Sequence, residues 1–241
     1  MRKFTSYLFA AILLVTGIYG CSKNNSKKPL VVILIGPPGV GKGTQASELS
    51  KALNLPHIST GDLLRDNIKR QTPIGIQIQN IIAQGNFVSD ELINALIYEK
   101  LTSTDCTNGY ILDGYPRRVP QAETLDSYLK DRVSVKVVHY FADDKIIIDR
   151  ISGRLLCTYC EKNFHKLFNP PKEDGKCDNC FHELIQRADD AESVVVERLL
   201  LYKQNTEPLI DFYKNKHLLQ AVSCEGSVKD IFEKTLKLLN N

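Results

Sequence analysis

Residues 30–35 read LVVILI, an unbroken apolar run of strand length. Apolar at every position, it predicts a strand buried on both faces of a sheet. β-Rich runs at 109–112 and 135–141 predict further strands, and a weaker one lies at 218–222. Between them apolar positions recur at helical spacing over 91–101, 120–130, 144–155, 190–213 and 228–239. Strand and helix in turn imply βαβ units and a parallel sheet, with ligands at the carboxyl ends of its strands. The chain has no internal repeat and no low-complexity tract. A second apolar run, 4–20, stands apart at the N-terminus behind Arg2 and Lys3.

The first strand runs straight into GPPGVGKGT at 36–44. A buried strand, a glycine-rich loop and a terminal Lys and Thr are the parts of a phosphate-binding P-loop in its required context. Gly36, Gly39, Gly41 and Gly43 let the backbone bring its amides toward a phosphate chain where a Cβ would intrude. Lys42 can reach the β- and γ-phosphates, and the Thr44 hydroxyl can sit on Mg²⁺. A helix expected from about Lys42 aims its positive dipole end at the same anion. The fold class is therefore α/β, a P-loop NTPase-type parallel sheet flanked by helices.

The strand at 110–112 ends in Asp113, followed by Gly114, Tyr115, Pro116, Arg117 and Arg118. In a P-loop protein an acid there is placed to hold Mg²⁺ or its water, although strand-end aspartates also serve as turn and cap residues. GPPGVGKGTQ at 36–45, STGDLLR at 59–65, GNFVSDEL at 85–92, LDGYPRRVPQA at 112–122, DRISGR at 149–154 and QRADD at 186–190 make the chain closely resemble the adenylate kinases. These enzymes interconvert ATP plus AMP with two ADP. The matches are collinear from about Leu30 to the C-terminus.

The resemblance implies Mg²⁺-dependent phosphotransfer, with Lys42, Arg117, Arg150, Arg187 and Arg198 as the catalytic cations. A guanidinium holds phosphate oxygens bidentately and keeps its charge, which suits arginine to the task. The same resemblance implies an ATP site of Gly39, Val40, Gly41, Lys42, Gly43, Thr44, Arg150, Arg154, Asn163, Phe164 and Val228. It implies an AMP site of Thr60, Arg65, Asn86, Phe87, Val88, Gly114, Tyr115, Pro116, Arg117, Gln121, Arg187 and Arg198. Thr60 also reads as the N-cap of a helix opening at Gly61. Residues 59–88 become a helical segment for the nucleoside monophosphate, and 153–190 an inserted lid.

Cys157-x2-Cys160 and Cys177-x2-Cys180 stand sixteen residues apart. Two such turns supply four thiolates at tetrahedral geometry, a structural zinc site; two disulfides or a redox pair are the rival readings. His165 and His182 lie near enough to replace a cysteine. The cluster falls inside the lid segment, too small to fold on a core of its own, where a metal worth about 10 kcal/mol is a fitting staple. The matching family form is the long-lid, zinc-containing bacterial one. A nucleic-acid-binding ribbon is disfavoured because Lys162, Lys166, Lys172 and Lys176 are balanced by Glu161, Glu173, Asp174 and Asp178. Cys106 and Cys224 read as small buried apolar residues.

Composition changes the picture at the N-terminus alone. The net charge of +3 includes Arg2, Lys3, Lys23, Lys27 and Lys28, with no acid in 1–28; removing those five cations leaves −2 for residues 29–241, with no nucleic-acid footprint. Residues 4–20 closed by Cys21 resemble a bacterial lipoprotein signal with Cys21 as the acylated residue, although Tyr19 is bulky there. About 17 apolar residues is the lower limit for a single-pass anchor. A later, non-AUG start is the third reading, since Met1 is the only Met. Thiolate zinc and ATP chemistry favour the cytoplasm, and a membrane-tethered lipoprotein is the alternative. The expected partners are ATP and AMP, without nucleic acid, in a monomer that meets a membrane only through residues 1–28. Another nucleoside monophosphate kinase, taking UMP or using GTP, and a non-catalytic tethered nucleotide-binding protein are the competing functions.

Overall fold

A computed structural model describes residues 28–83, 88–160, 162–186 and 190–240. In chain order they form β1 (Leu30–Ile35), α1 (Lys42–Leu53), β2 (His57–Ser59), α2 (Thr60–Lys69), α3 (Pro73–Ala83), α4 (Asp90–Leu101), β3 (Gly109–Asp113), α5 (Val119–Leu129), β4 (Ser134–Phe141), α6 (Asp144–Ser152), β5 (Arg154–Cys157), β6 (Asn163–His165), β7 (Leu184–Ile185), α7 (Glu192–Leu201), α8 (Pro208–Asn215), β8 (Leu219–Ser223) and α9 (Val228–Asn240).

The main sheet is parallel, in the order β2-β3-β1-β4-β8, so β1 lies at its centre between β3 and β4. That position explains the absence of alternation in LVVILI, because both faces are covered. Val31, Ile33 and Ile35 pack with Ile97, Leu112, Leu125 and Tyr213 on one side. Val32 and Leu34 pack with Leu49, Ile111, Tyr140 and Ile231 on the other. Placing β1 between two parallel neighbours also sets the P-loop and the β3 end side by side, since Leu34 is in register with Asp113.

Two helical expectations are corrected. The 144–155 pattern ends at Ser152, because Leu155 and Leu156 leave the helix for the small antiparallel sheet β6-β5-β7, where they pair with Phe164 and Asn163. Over so few residues a buried strand and a helix face present the same apolar pattern. The 190–213 pattern is broken by a π-helical stretch, Tyr202–Thr206, and restarts at Pro208. Proline lacks the N–H that a continuing helix needs but fits a first turn. Among the described residues no helix is long and apolar enough to cross a membrane, and Cys21 lies outside them. Cys106 and Cys224 are buried in the two cores, as expected.

Candidate functional site

The P-loop turns where the sequence demands glycine. Gly39 has φ +77, and a Cβ on it would fall inside the Ile151 side chain of α6. Gly36 has φ +154 and faces the Tyr140 carbonyl at the end of β4. Gly41 stands at the N-cap of α1 with no side chain to occupy the first-turn amides, which leaves that helix end open toward the loop. Lys42 folds back along the loop, its Nζ donating to the carbonyls of Gly36 at 2.7 Å and Pro37 at 2.9 Å. Burial lowers the Lys42 pKa to about 8, opposed by Asp113 and reinforced by Arg117 and Arg198.

Asp113 ends β3 beside this loop, and a Cβ on Gly43 would stand 3.4 Å from its Oδ2. Burial would raise its carboxyl, but the His57 ring at 3.4 Å, then Lys42 and Arg117, outweigh that and hold it below the usual range. A carboxylate kept ionised within reach of a phosphate loop has the hard-oxygen chemistry that Mg²⁺ takes.

Beyond Asp113 the chain gathers a second group of polar residues around Gly114. Arg117 Nε donates to the Gly114 carbonyl at 3.0 Å, and its backbone N–H donates to Gln121 Oε1 at 2.7 Å. Gln121 Nε2 in turn donates to Asp90 at 2.7 Å, so this amide is committed at both ends. Burial lowers the Arg117 pKa, with Arg198 and Arg65 pressing the same way against Asp113; the three guanidiniums therefore share one region with Lys42. A Cβ on Gly114 would lie 3.4 Å from Arg117 and 3.9 Å from Thr60 Oγ1. Thr60 is 4 % exposed, and its Oγ1 has no hydrogen-bond partner among the described residues. The expected capping role falls to Ser59, whose side chain accepts from the Asp62 amide. Freed from capping, the buried Thr60 hydroxyl lies beside Gly114, where an unmade hydrogen bond is costly.

Other expected positions are distributed more widely. Arg150 reaches over the P-loop to the carbonyls of Val40 at 3.3 Å and Cys224 at 2.8 Å. Val228 opens α9 and accepts from Gln45 of α1 at 3.0 Å. The Tyr115 side chain is fully buried and donates to Asn94 at 2.6 Å, so it faces the core and leaves only its backbone beside Gly114. Pro116 follows it through a cis peptide bond. Arg65 pairs with Asp62 on α2. Val88 is half-buried ahead of α4. Asn163 is exposed on β6, while Phe164 is buried among the cysteines. Asn86, Phe87 and Arg187 lie outside the described residues.

Asp190 carries more than its place in QRADD suggested. It is 1 % exposed, accepts Arg154 bidentately, with Nε to Oδ2 at 2.8 Å, and has Arg198 at 3.8 Å. One buried acid thus gathers two arginines from β5 and α7. The available signal was an acid among matched arginines, with nothing local to name its partners.

The four cysteine sulfurs lie within 4.8 Å of one another. Cys157 and Cys180 are 3.4 Å apart and Cys160 and Cys177 3.5 Å, close to the edge of about 3.8 Å set by zinc–thiolate bonds of about 2.3 Å. Each CxxC pair sits on a turn closed in the same way: the Cys157 amide donates to Lys162 O and the Cys177 amide to His182 O. Burial would raise the Cys157 thiol, yet N–H donation from Cys160 and Tyr159 outweighs it and draws it below the usual range. The donor set fits zinc, which these four residues would hold. Neither histidine joins it: His182 stacks on Tyr159 at 4.2 Å, and His165 turns to α6.

The adenylate kinase family model matches residues 34–218. Adenylate kinase of Clostridium perfringens (strain 13 / Type A) is 45 % identical over 215 residues, 88 % of this chain and 99 % of that protein. Adenylate kinase of Clostridium botulinum (strain Hall) is 46 % identical over 208 residues, 83 % and 94 % of the two chains. The chain belongs to the adenylate kinase family. With the family comes the reaction, reversible phosphoryl transfer between ATP and AMP to give two ADP, with Mg²⁺ accompanying ATP. Both relatives match nearly end to end, so the family likeness takes in the cysteine-bearing lid as well as the P-loop core.

Proposed function

We propose that ATP occupies the P-loop and AMP the region beside Thr60 and Gly114, with phosphoryl transfer taking place over Lys42 between them. The observation carrying this reading is the buried, unpaired Thr60 hydroxyl facing Gly114 and Arg117 across the cation cluster from the loop. A purine offers the hydrogen bond that the hydroxyl lacks, and a site built this way rejects bases that leave it unpaired. Initial rates with AMP, UMP, CMP and GMP test it: AMP is expected to lead clearly, and a faster rate with UMP would move the chain to another nucleoside monophosphate kinase.

The transferred phosphoryl spreads charge over its oxygens, so positioning and fixed cations supply most of the catalysis. Lys42 and Arg117 stand on either side of the transfer path, Arg198 reaches in from α7, Arg150 covers the loop, and Arg187 completes the set. When bound, Mg²⁺ neutralises charge at the β- and γ-oxygens; Asp113, through water, and Thr44 would hold it. Gly39, Val40, Gly41, Gly43, Arg154, Asn163, Phe164 and Val228 form the donor side, the last through its backbone. Arg65, Asn86, Phe87, Val88, Gly114, Tyr115, Pro116 and Gln121 form the acceptor side. Segments 59–88 and 153–190 are the moving parts that close over the two nucleotides and exclude water.

Thr60→Val removes the hydroxyl with little change of shape. Its expected result is a rise of about tenfold in KM for AMP with KM for ATP unchanged, read from initial rates; equal shifts for both substrates would remove Thr60 from the acceptor side. Because Lys42 loses its proton near pH 8 in the nucleotide-free protein, kcat/KM for ATP is expected to fall as pH rises through about 8. In Lys42→Arg that limb should vanish from the profile, since arginine keeps its charge.

The thiolate zinc set suits a reducing compartment, which supports a cytoplasmic placement with residues 1–28 as a leader or tether. Among the described residues the main sheet is tied in from Pro29 onward, whose carbonyl accepts from Ser134 at 2.8 Å. Deleting 1–28 is therefore expected to leave a folded, fully active protein; an insoluble or inactive truncation, or native activity on the outer side of a membrane with Cys21 acylated, would contradict the assignment.

A further inference from the structure

His165 ends β6 and is 8 % exposed, held on both edges of its ring. Nδ1 accepts from the backbone N–H groups of Leu167 at 2.9 Å and Phe168 at 3.0 Å. Two donors on Nδ1 place the ring proton on Nε2, which donates to the Asp149 carbonyl at 3.2 Å. Asp149 lies in the last turns of α6, immediately before Arg150. One ring therefore fastens an edge strand of the lid to the helix that carries Arg150.

The ring acts across the narrowest link between lid and core. Gly153 alone separates α6 from β5, and the Lys166 amide donates to its carbonyl at 2.8 Å. Gly153 has φ −94 and ψ 0, a conformation open to other residues, so the backbone does not require glycine there. The ring does: a Cβ on Gly153 would overlap Cε1 and Nε2 of His165. Phe168 closes the other side, its ring centroid 4.4 Å from that of His165. With the Lys166 amide on Gly153 O and Gln186 Nε2 on Ser152 O at 2.9 Å, the ring is one of three ties that hold the base of the lid sheet to the end of α6 while the rest of 153–190 moves.

We infer that His165 is a positioning residue of the donor site, fixing β6, with Asn163 and Phe164, against Arg150 before nucleotide arrives. The inference rests on the donor-side assignment above. Its physical content is pre-organisation: with the ring in place, less freedom is lost when ATP bridges lid and core.

The test combines amide exchange in the nucleotide-free protein with initial-rate kinetics on the full chain. In His165→Ala, exchange at Leu167 and Phe168 should quicken about tenfold or more, and KM for ATP should rise about tenfold with KM for AMP within twofold and zinc content unchanged. His165→Asn keeps an acceptor near the Nδ1 position but cannot reach Asp149; it should retain the amide protection and still raise KM for ATP. Gly153→Ala should reproduce the His165→Ala effect by displacing the ring, and the double variant should be no worse than His165→Ala, since the clash is gone. The inference is overturned if KM for ATP stays within twofold of the starting value, if KM for AMP rises equally, or if Gly153→Ala adds its full effect to His165→Ala. Failure of the donor-site reading itself would appear elsewhere, as normal turnover in Lys42→Met.

Discussion

Lys42→Met is expected to lower turnover by about 10²-fold or more while the protein stays folded. Methionine keeps the unbranched stem and deletes the ammonium that faces Asp113, Arg117 and Arg198. The loop loses two hydrogen bonds, to the Gly36 and Pro37 carbonyls. Its shape is held independently by the Val40 amide on Pro37 O and the Gln45 amide on Gly41 O, and by the packing of Gly39 on Ile151. Charge aimed at the transferred phosphoryl is the quantity removed, so kcat should fall further than KM rises. Turnover and circular dichroism on the same preparation decide it; a variant of near-normal rate would refute the role given to Lys42.

Cys177→Ser has the second large effect, and it should be regional. The sulfur is fully buried, accepts from the Asn179 amide at 3.4 Å, and packs with Cys157, Phe164 and Leu184 in a lid core of very few residues. So small a cluster cannot offset the chain entropy of residues 153–190, and a structural zinc contributes on the order of 10 kcal/mol. The purified protein should carry one zinc per chain and the variant none. Proteolysis should then open the lid between β5 and β7 while the five-stranded sheet, which has its own two cores, survives. Activity should fall with it, because Arg154 and Asn163 ride on the lid strands. Elemental analysis finding no metal in the unaltered protein, together with four free thiols, would remove the zinc assignment.

Much of this was legible in the chain because the chemistry was written locally. GPPGVGKGT follows a strand that is apolar at every position, and the structure puts that strand at the sheet centre, where such a run belongs. The two CxxC pairs met as their spacing implied. The misreadings arose where partners are distant in sequence or patterns are short. Leu155 continued a helical period until pairing with β6 drew it away. Thr60 read as a cap because Ser59 and Thr60 are equally able caps, and the choice of Ser59 is a matter of one residue in the entry of α2. Asp190 meets Arg154 across 36 residues, and His165, a rival zinc ligand by proximity, is claimed instead by a carbonyl on α6. No local pattern encodes either contact.

The proposed exchange carries a phosphoryl group across Lys42 from one nucleotide site to the other. Phosphorus NMR of the purified chain with ATP, AMP and Mg²⁺ tests it most directly, because every species is seen at once. Two ADP should form for each AMP consumed, with no inorganic phosphate in step with them and no exchange when Mg²⁺ is chelated. ATP loss to inorganic phosphate with AMP untouched, or binding of both nucleotides without ADP, would contradict it.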